Sequence, residues 1–440
     1  MAKAKTTIMD LNDDCLNAIF ERLNGMGVKR NFSNTCHRFA TIFCNHYIHR
    51  ILVEGGDVHH FDSRLVTKFS HLLGTKLFPL RDIKSLKFDD TYSQYFTEKF
   101  FRALKRDHPN IESVELTGFR DKDMHVMLPF PNLKLLHFYC SLITGDYLDQ
   151  LRNLEVLILD TILNFECRHL ISIVQQNKNL QKLVLRGCPV IFTPEYAIEM
   201  SQNLNNLLEL EANWYELHHC QLVGNLPCLK ILVINDFKSF QCRRCRRIER
   251  GDATLPISGF YYGICECGLY DARVLFKGLR KKNILEQLIF LGSRITTRDL
   301  TFISKLTSLK TLYMGVDNVP LYISIAMFNN LKDLEDIDIG YSWKLPMEAL
   351  SFLEKCQKLK YVNFGNSEGF DESFILEAID VIKRRAVPPA EPLRMQFLNA
   401  DFDRTFLEDE RVKAAGSLIQ IDSFQTNEMI SRLYNYIYYF

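Results

Sequence analysis

The chain has 440 residues, 47% of them hydrophobic, with 54 Lys and Arg against 53 Asp and Glu. That length can bury a large core, arranged as two or three domains or as one elongated repeat array. The charge balance excludes a global field favouring nucleic acid or an anionic membrane, so any such contact has to come from a local patch.

The N-terminus carries two lysines with no apolar run of signal-peptide length behind them. Nowhere does an apolar run reach the roughly eighteen residues of a membrane span, so no membrane partner is expected. With 13 cysteines and no secretory signal, the expectation is a cytoplasmic or nuclear protein whose single thiols are reduced and act as small core residues. The first segment reads MDLNDDCLNAIFERLNGMGVKRNFSNTCHRFATIFCNHY. Asn12 or Asp13 can cap a helix in which Leu16, Ile19, Phe20 and Leu23 form one apolar stripe, and Asn24-Gly25 ends it. A second short helix would carry Val28 and Phe32, and a third Cys36, Phe39, Ile42 and Phe43. Three helices in so short a stretch bury little alone, so the unit should lean on a partner or on the neighbouring part of the chain.

Over residues 8–48 this segment resembles an F-box, through Leu11-Asn12-Asp13-Asp14, Ile19-Phe20-Glu21-Arg22-Leu23 and Cys36-His37-Arg38-Phe39. Asn12 stands where the family has Pro, and Gly25 to Lys29 is more polar than the family's middle stretch. The resemblance implies docking on a Skp-type adaptor within a cullin–RING ubiquitin ligase. Leu11, Leu16, Ile19, Phe20, Leu23 and Phe39 would be its apolar contacts. The alternative is a helical cap that only shields the first repeat. Residues 49–80 are expected to form linker helices.

From about residue 81 one pattern recurs: apolar, two of any kind, apolar, one of any kind, apolar. It appears at Ile111–Val114–Leu116, Leu133–Leu136–Phe138, Leu154–Leu157–Leu159, Leu180–Leu183–Leu185, Leu207–Leu210–Ala212 and Leu229–Leu232–Ile234. It continues at Leu285–Leu288–Phe290, Leu309–Leu312–Met314, Leu334–Ile337–Ile339 and Leu359–Val362–Phe364, with Ile83–Leu86–Phe88 as a first copy. Steps are 21 to 28 residues, apart from one of 56 between Leu232 and Leu288. The last two apolar positions alternate as in a half-buried strand. Helical spacing fills the intervals, as at Ile171, Val174 and Asn177 or at Leu300, Ile303 and Leu306.

Strand plus helix at this period resembles the leucine-rich repeat, whose signature extends into LVLRGCPVI with Cys188 at the Asn/Cys turn position. Such units stack into a solenoid because none can bury its apolar face alone. Binding residues then sit beside the buried ones on the concave face: Glu115, His137, Ile158, Val184, Glu209, Val233, Ile289, Tyr313, Asp338 and Asn363. Their mixed chemistry suits an unidentified protein substrate better than phosphate, so nucleic acid is not expected as a partner.

Inside the long step, residues 238–270 form a cysteine-rich insertion with Cys242-x2-Cys245 and Cys265-x-Cys267. Four thiolates can hold a structural zinc tetrahedrally, and a hairpin through LPISGFYYGI would bring the pairs together. Ordinary reduced thiols and redox chemistry stay open as alternatives. Arg243, Arg244, Arg246, Arg247 and Arg250 around the first pair read as a solvated charged loop, with a contact to phosphate, as in a nucleic-acid-associated protein, or to an acidic partner as the alternative. Beyond Phe364, KRRAVPPAEP reads as a turn or exposed loop, Leu393–Met395–Phe397 and Leu418–Ile419–Ile421 as two further strands, and SRLYNYIYYF as a cap on the last repeat.

No Gly-rich phosphate loop, His-Glu-x-x-His or Gly-x-Ser-x-Gly occurs. His59-His60 and His218-His219 lack ligand partners at helical spacing, and Cys15 and Cys36 fall on apolar helical faces. The expected architecture is α/β: a three-helix F-box, then a leucine-rich-repeat solenoid, or horseshoe, over 81–440 with a C-terminal cap. An F-box followed by such repeats resembles the substrate receptors of SCF-type ubiquitin ligases, which are not themselves enzymes. The alternative is a repeat scaffold with no ligase role.

Overall fold

The computed structural model describes residues 8, 11–23, 28, 39, 50–54, 84–89, 102, 105–106, 109–122, 124, 130–188, 194–213, 217, 222–235, 273–292, 297–316, 324–339, 346–366, 369–385, 391–398 and 404–423. The chain divides into two compact units, residues 1–180 and 181–440.

The first unit begins with helix α1, Asp13–Arg22. Asn12 is its N-cap, with Oδ1 accepting from the Cys15 N–H at 2.9 Å, so the capping role open between Asn12 and Asp13 falls to Asn12. Leu16 and Phe20, one turn apart, are fully buried, and Phe20 meets Phe39 edge-on at 6.3 Å between ring centroids. Of the second and third predicted helices, Val28 and Phe39 alone are described.

Five strands follow: β1 (Arg50–Glu54), β2 (Ser85–Asp89), β3 (Ser113–Thr117), β4 (Leu135–Tyr139) and β5 (Val156–Asp160), with helix α2 (Cys167–Gln176) after β5. Each pairs in parallel with the next, as Ile51↔Leu86, Leu86↔Val114, Val114↔Leu136 and Leu136↔Leu157. A parallel pair needs a return segment between its strands, and the repeat period supplies one. Arg50–Glu54 is therefore a strand where linker helices were expected, and the ladder starts one step before Ile83; residues 55–80 lie outside the described ones.

Alternation along each strand points Val114 and Leu116, Leu136 and Phe138, Leu157 and Leu159 inward, where all six are buried. Two residues beyond the last of these, the backbone turns left-handed at Gly118 (φ 80°), Cys140 (φ 46°) and Thr161 (φ 59°). The same exit is imposed in successive repeats, and only glycine adopts it without strain. Asn177 ties repeats together: its buried side chain accepts from the Leu154 N–H at 2.8 Å and donates to the carbonyls of Leu151 and Ile173 at 3.0 and 2.7 Å.

In the second unit β6 (Lys182–Arg186), α3 (Pro194–Asn203), β7 (Glu209–Asn213), α4 (Leu222–Asn225), β8 (Ile231–Asn235) and α5 (Arg273–Lys282) come first. They are followed by β9 (Gln287–Gly292), α6 (Thr297–Ile303), β10 (Thr311–Val316), β11 (Asp336–Asp338), α7 (Pro346–Lys355), β12 (Tyr361–Asn366) and α8 (Glu372–Lys383). The unit closes with β13 (Leu393–Leu398), α9 (Glu410–Ala414) and β14 (Ile419–Ser423). Consecutive strands again pair in parallel, and β13 and β14 are the two further strands expected beyond Phe364. One parallel strand per repeat, with the repeated Leu positions buried, is the build of a leucine-rich repeat.

β8 pairs directly with β9, Leu232 opposite Leu288. The long step is thus one period plus an insertion, not two periods. Cys242, Cys245, Cys265 and Cys267 lie outside the described residues. Where the chain returns, α5 packs on α4 through two glycines: a Cβ on Gly278 would stand 2.5 Å from the Gly224 Cα. Further on, the Phe364 and Phe397 rings stack at 4.9 Å, with Phe370 and Phe374 edge-on beside them at 4.6 Å from each other. Arg385, in the segment expected to be an exposed loop, is instead buried. Its guanidinium donates to the carbonyls of Leu353, Gln357 and Cys356 at 3.0, 3.2 and 3.4 Å, capping the carbonyl end of α7.

In two runs of repeats, separated by Gln181 and Leu208, the position just after the first apolar residue carries alternating charge. Lys84, Glu112, Lys134 and Glu155 form one series in the first unit, and Lys230, Glu286, Lys310, Glu335 and Lys360 another in the second. Adjacent members pair, as Lys134 with Glu112 at 3.6 Å and Glu286 with both Lys230 and Lys310 at 3.0 and 2.8 Å.

Candidate functional site

Strand alternation leaves one side chain between the two buried ones of each repeat, and the parallel register aligns these into a row. In the first unit Glu115 lies beside His137 and His137 beside Ile158, all three partly exposed. Lys87 precedes them and pairs with Glu115 at 3.1 Å.

This face continues into an apolar rim at the strand exits. Tyr139, the last residue of β4, is 46% exposed, Leu142 52% and Leu163 51%. Leu142 and Leu163 occupy the same place in successive repeats, four residues after Phe138 and Leu159. Tyr147, also exposed, has left-handed backbone at φ 70°. Exposed apolar side chains in this density mark an interaction surface more often than a bare one. Sequence reasoning missed the rim because it lies outside the six-residue frame; the 21-residue spacing of Leu142 and Leu163 was the available signal.

The second unit corrects the expected row in two ways. First, register places Glu211 beside Val184 and Val233, whereas Glu209 aligns with Lys182 and pairs with it at 2.8 Å. Glu209 was picked two residues out of phase. Second, most of the row is buried: Val184, Glu211, Val233, Ile289, Asp338 and Asn363, with Tyr313 partly exposed.

The polar members are engaged with their neighbours. Glu211 accepts from Arg186 Nε and Nη2 at 2.7 and 2.8 Å and from Asn235 Nδ2 at 2.5 Å. Asn363 donates to Asp338 at 3.0 Å, and the Tyr361 hydroxyl donates to Gln396 at 2.6 Å. Short polar side chains on strands under 5 Å apart satisfy one another across the register, so they are not presented as a free row.

Of the F-box-like residues, Leu16, Phe20 and Phe39 are buried within the chain, while Leu11, Ile19 and Leu23 are partly exposed on and beside α1. Cys15 is exposed rather than on the apolar stripe, and Cys140 is exposed too. Cys188 and Cys356 are buried, the latter with its thiol pushed up to about 12 by burial. Cys36 and the histidine doublets lie outside the described residues. Among the described residues no three His, Cys, Asp or Glu are grouped to hold a metal ion, and no helix is long and apolar enough to cross a membrane.

No family model matches the chain, and no curated protein does. Among solved structures it is similar to an internalin from Listeria monocytogenes, at 12% identity over 94% of each chain with a TM-score of 0.42. It is also similar to a leucine-rich-repeat protein from Leptospira interrogans, at 13% identity over 78% of this chain and 90% of that one, with a TM-score of 0.36. A third is TLR13 in complex with ssRNA13, at 15% identity over 73% of this chain and 47% of that one, with a TM-score of 0.40.

Proposed function

We propose that the chain is a leucine-rich-repeat protein-interaction scaffold that binds a partner on the β2–β5 face and its apolar rim. The observation that carries this is the coincidence of partly exposed Glu115, His137 and Ile158 with exposed Tyr139, Leu142 and Leu163 on one rigid, registered strand ladder. A row fixed by backbone hydrogen bonds presents its side chains with little ordering cost on binding, which favours recognition over chemistry.

A finer reading builds on the F-box resemblance: α1 docks on a Skp-type adaptor, a cullin joins through it, and the repeats deliver a protein substrate for ubiquitination in cytoplasm or nucleus. Leu11, Ile19 and Leu23 are the members of the motif left open for that contact, with Leu16, Phe20 and Phe39 holding the helix in place. Affinity purification with mass spectrometry separates the two readings. Wild type is compared with Leu11→Glu/Ile19→Glu and with Tyr139→Ser/Leu142→Ser/Leu163→Ser. Adaptor and cullin lost only from the first variant support the receptor; partners lost only from the second, with no adaptor in any sample, support the scaffold alone.

Cys242, Cys245, Cys265 and Cys267 are further proposed to hold one structural zinc. Elemental analysis should find stoichiometric zinc in wild type and none in Cys242→Ser/Cys245→Ser.

A further inference from the structure

Helix α5 reads RVLFKGLRKK and has no acidic residue. Leu275, Phe276 and Leu279 form its buried side. Lys277, Arg280 and Lys281 stand three and four residues apart, hence on one face, and all three are exposed. Among the described residues none of the three has an ion-pair partner. Other cations of the unit are paired, as Lys182 with Glu209 at 2.8 Å, Lys230 with Glu286 at 3.0 Å and Lys358 with Asp333 at 2.6 Å.

Among the described residues the neighbouring helices α4 and α6 carry no exposed acidic side chain. α4, LVGN, carries no charge. On α6 Asp299 is buried, and just beyond it Lys305 is exposed with its ammonium 5.5 Å from the Phe302 ring. Lys282, the next residue along α5, is engaged elsewhere, donating to the Asn225 carbonyl at 2.6 Å. The helix dipole accounts for cations in the last turn, but Lys277 precedes that turn, and like charges at this spacing repel.

We propose that the exposed face of α5, formed by Lys277, Arg280 and Lys281, docks an acidic segment of a partner protein. Charge complementarity selects the occupant's sign, and the size of the face selects its class. From Lys277 to Lys281 the helix rises about 6 Å, enough for two or three carboxylates of an extended peptide. Duplex nucleic acid recognition draws on roughly 6–10 phosphate contacts, and single-strand binding adds aromatic platforms. No exposed large hydrophobic among the described residues lies on α5 or α6. This surface is independent of the β2–β5 and α1 contacts, and its failure would leave both standing.

The test measures fluorescence anisotropy of a labelled glutamate-rich peptide and of a thymidine oligonucleotide of equal length against the full chain. Wild type should bind the peptide, more weakly as salt rises. Lys277→Gln/Arg280→Gln/Lys281→Gln should lose roughly tenfold or more in affinity, equivalent to about 1.4 kcal/mol. Lys332→Gln/Lys355→Gln, which removes as exposed a pair of charges elsewhere in the unit, should bind as wild type does. Lys277→Glu/Arg280→Glu/Lys281→Glu should transfer the preference to a lysine-rich peptide. Equal peptide binding by wild type and the glutamine variant, or no binding by wild type, overturns the proposal. Tighter binding of the oligonucleotide than of the peptide overturns the assignment of the partner.

Discussion

Alanine at position 278 should destabilise a helix that alanine ordinarily favours. In an exposed helix interior, Gly→Ala raises stability by about 0.5–1 kcal/mol. Here the new Cβ would stand 2.5 Å from the Gly224 Cα and 3.3 Å from its carbonyl carbon. Carbon atoms rest about 3.5–4.0 Å apart, so α4 and α5 would have to part by about 1 Å. The obstacle is backbone and cannot rotate away. Separation loosens Leu222, Val223, Leu275, Phe276 and Leu279, all buried on these two helices. Overpacking of this kind costs about 1–3 kcal/mol, which after the propensity gain leaves a net loss centred on about 1 kcal/mol and reaching about 2.5 kcal/mol. Urea denaturation followed by circular dichroism should show a lower midpoint for Gly278→Ala and for Gly224→Ala, while Lys277→Ala one residue away stays within about 0.5 kcal/mol of wild type. A Gly278→Ala protein as stable as wild type, or more so, would refute the close approach of the two helices.

Asn177→Ala should cost about 1–3 kcal/mol, because it strips three hydrogen bonds and leaves the Leu154 N–H without its partner, while the Ile173 and Leu151 carbonyls keep the Asn177 N–H and Arg152; a loss under ~0.5 kcal/mol in the same denaturation would count against the bridge. At the strand exits, Gly118→Ala should lose about 1 kcal/mol, whereas Cys140→Gly, relieving a left-handed residue, should be neutral or gain as much. Iodoacetamide labelling read by mass spectrometry should modify Cys15, Cys140 and Cys228 well before Cys188 and Cys356, and rapid labelling of Cys356 in folded protein would contradict its burial. Burial, followed by the neighbouring Glu335 charge, raises the Asp336 carboxyl above its ordinary value. The folded state then holds that proton more tightly than the unfolded one, so Asp336 disfavours folding increasingly as pH rises from the ordinary carboxylate value through the raised one. Asp336→Asn should accordingly stabilise at neutral pH and match wild type in acid; a difference independent of pH would point to another cause.

The strand ladder was legible because each repeat must bury its own Leu positions, and a period repeated so often cannot be mistaken for chance. Two features lay in the same letters and went unread. Glu112, Lys134 and Glu155 are variable positions of the frame, and their alternation acquires meaning only when parallel pairing sets them side by side. The slip between Glu209 and Glu211 has a different origin: the frame Leu207–Leu210–Ala212 already places Glu211 between the last two apolar positions, where Val184 stands in its own repeat, and Glu209 lies two residues before it. Burial of Asp338 and Asn363 depends on neighbours fixed by register, not on their own polarity, and a rule that polar residues are exposed fails there. Arg385 was legible as a charge near two prolines but not as a group that fills a helix end a repeat away, because that contact spans some thirty residues. The long step between Leu232 and Leu288 fitted two architectures equally well by counting. Direct pairing of β8 with β9 decides between them.

The alternating Lys and Glu series gives the array a parity. Excising the repeat that contains Glu286 would set Lys230 against Lys310, and excising any other single interior repeat of the series would likewise bring two like charges together. Removing two consecutive interior repeats restores opposite signs across the new seam. Gain and loss of repeats in such an array should therefore be easier by even steps than by odd ones. The apolar frame, common to the units, carries no such parity.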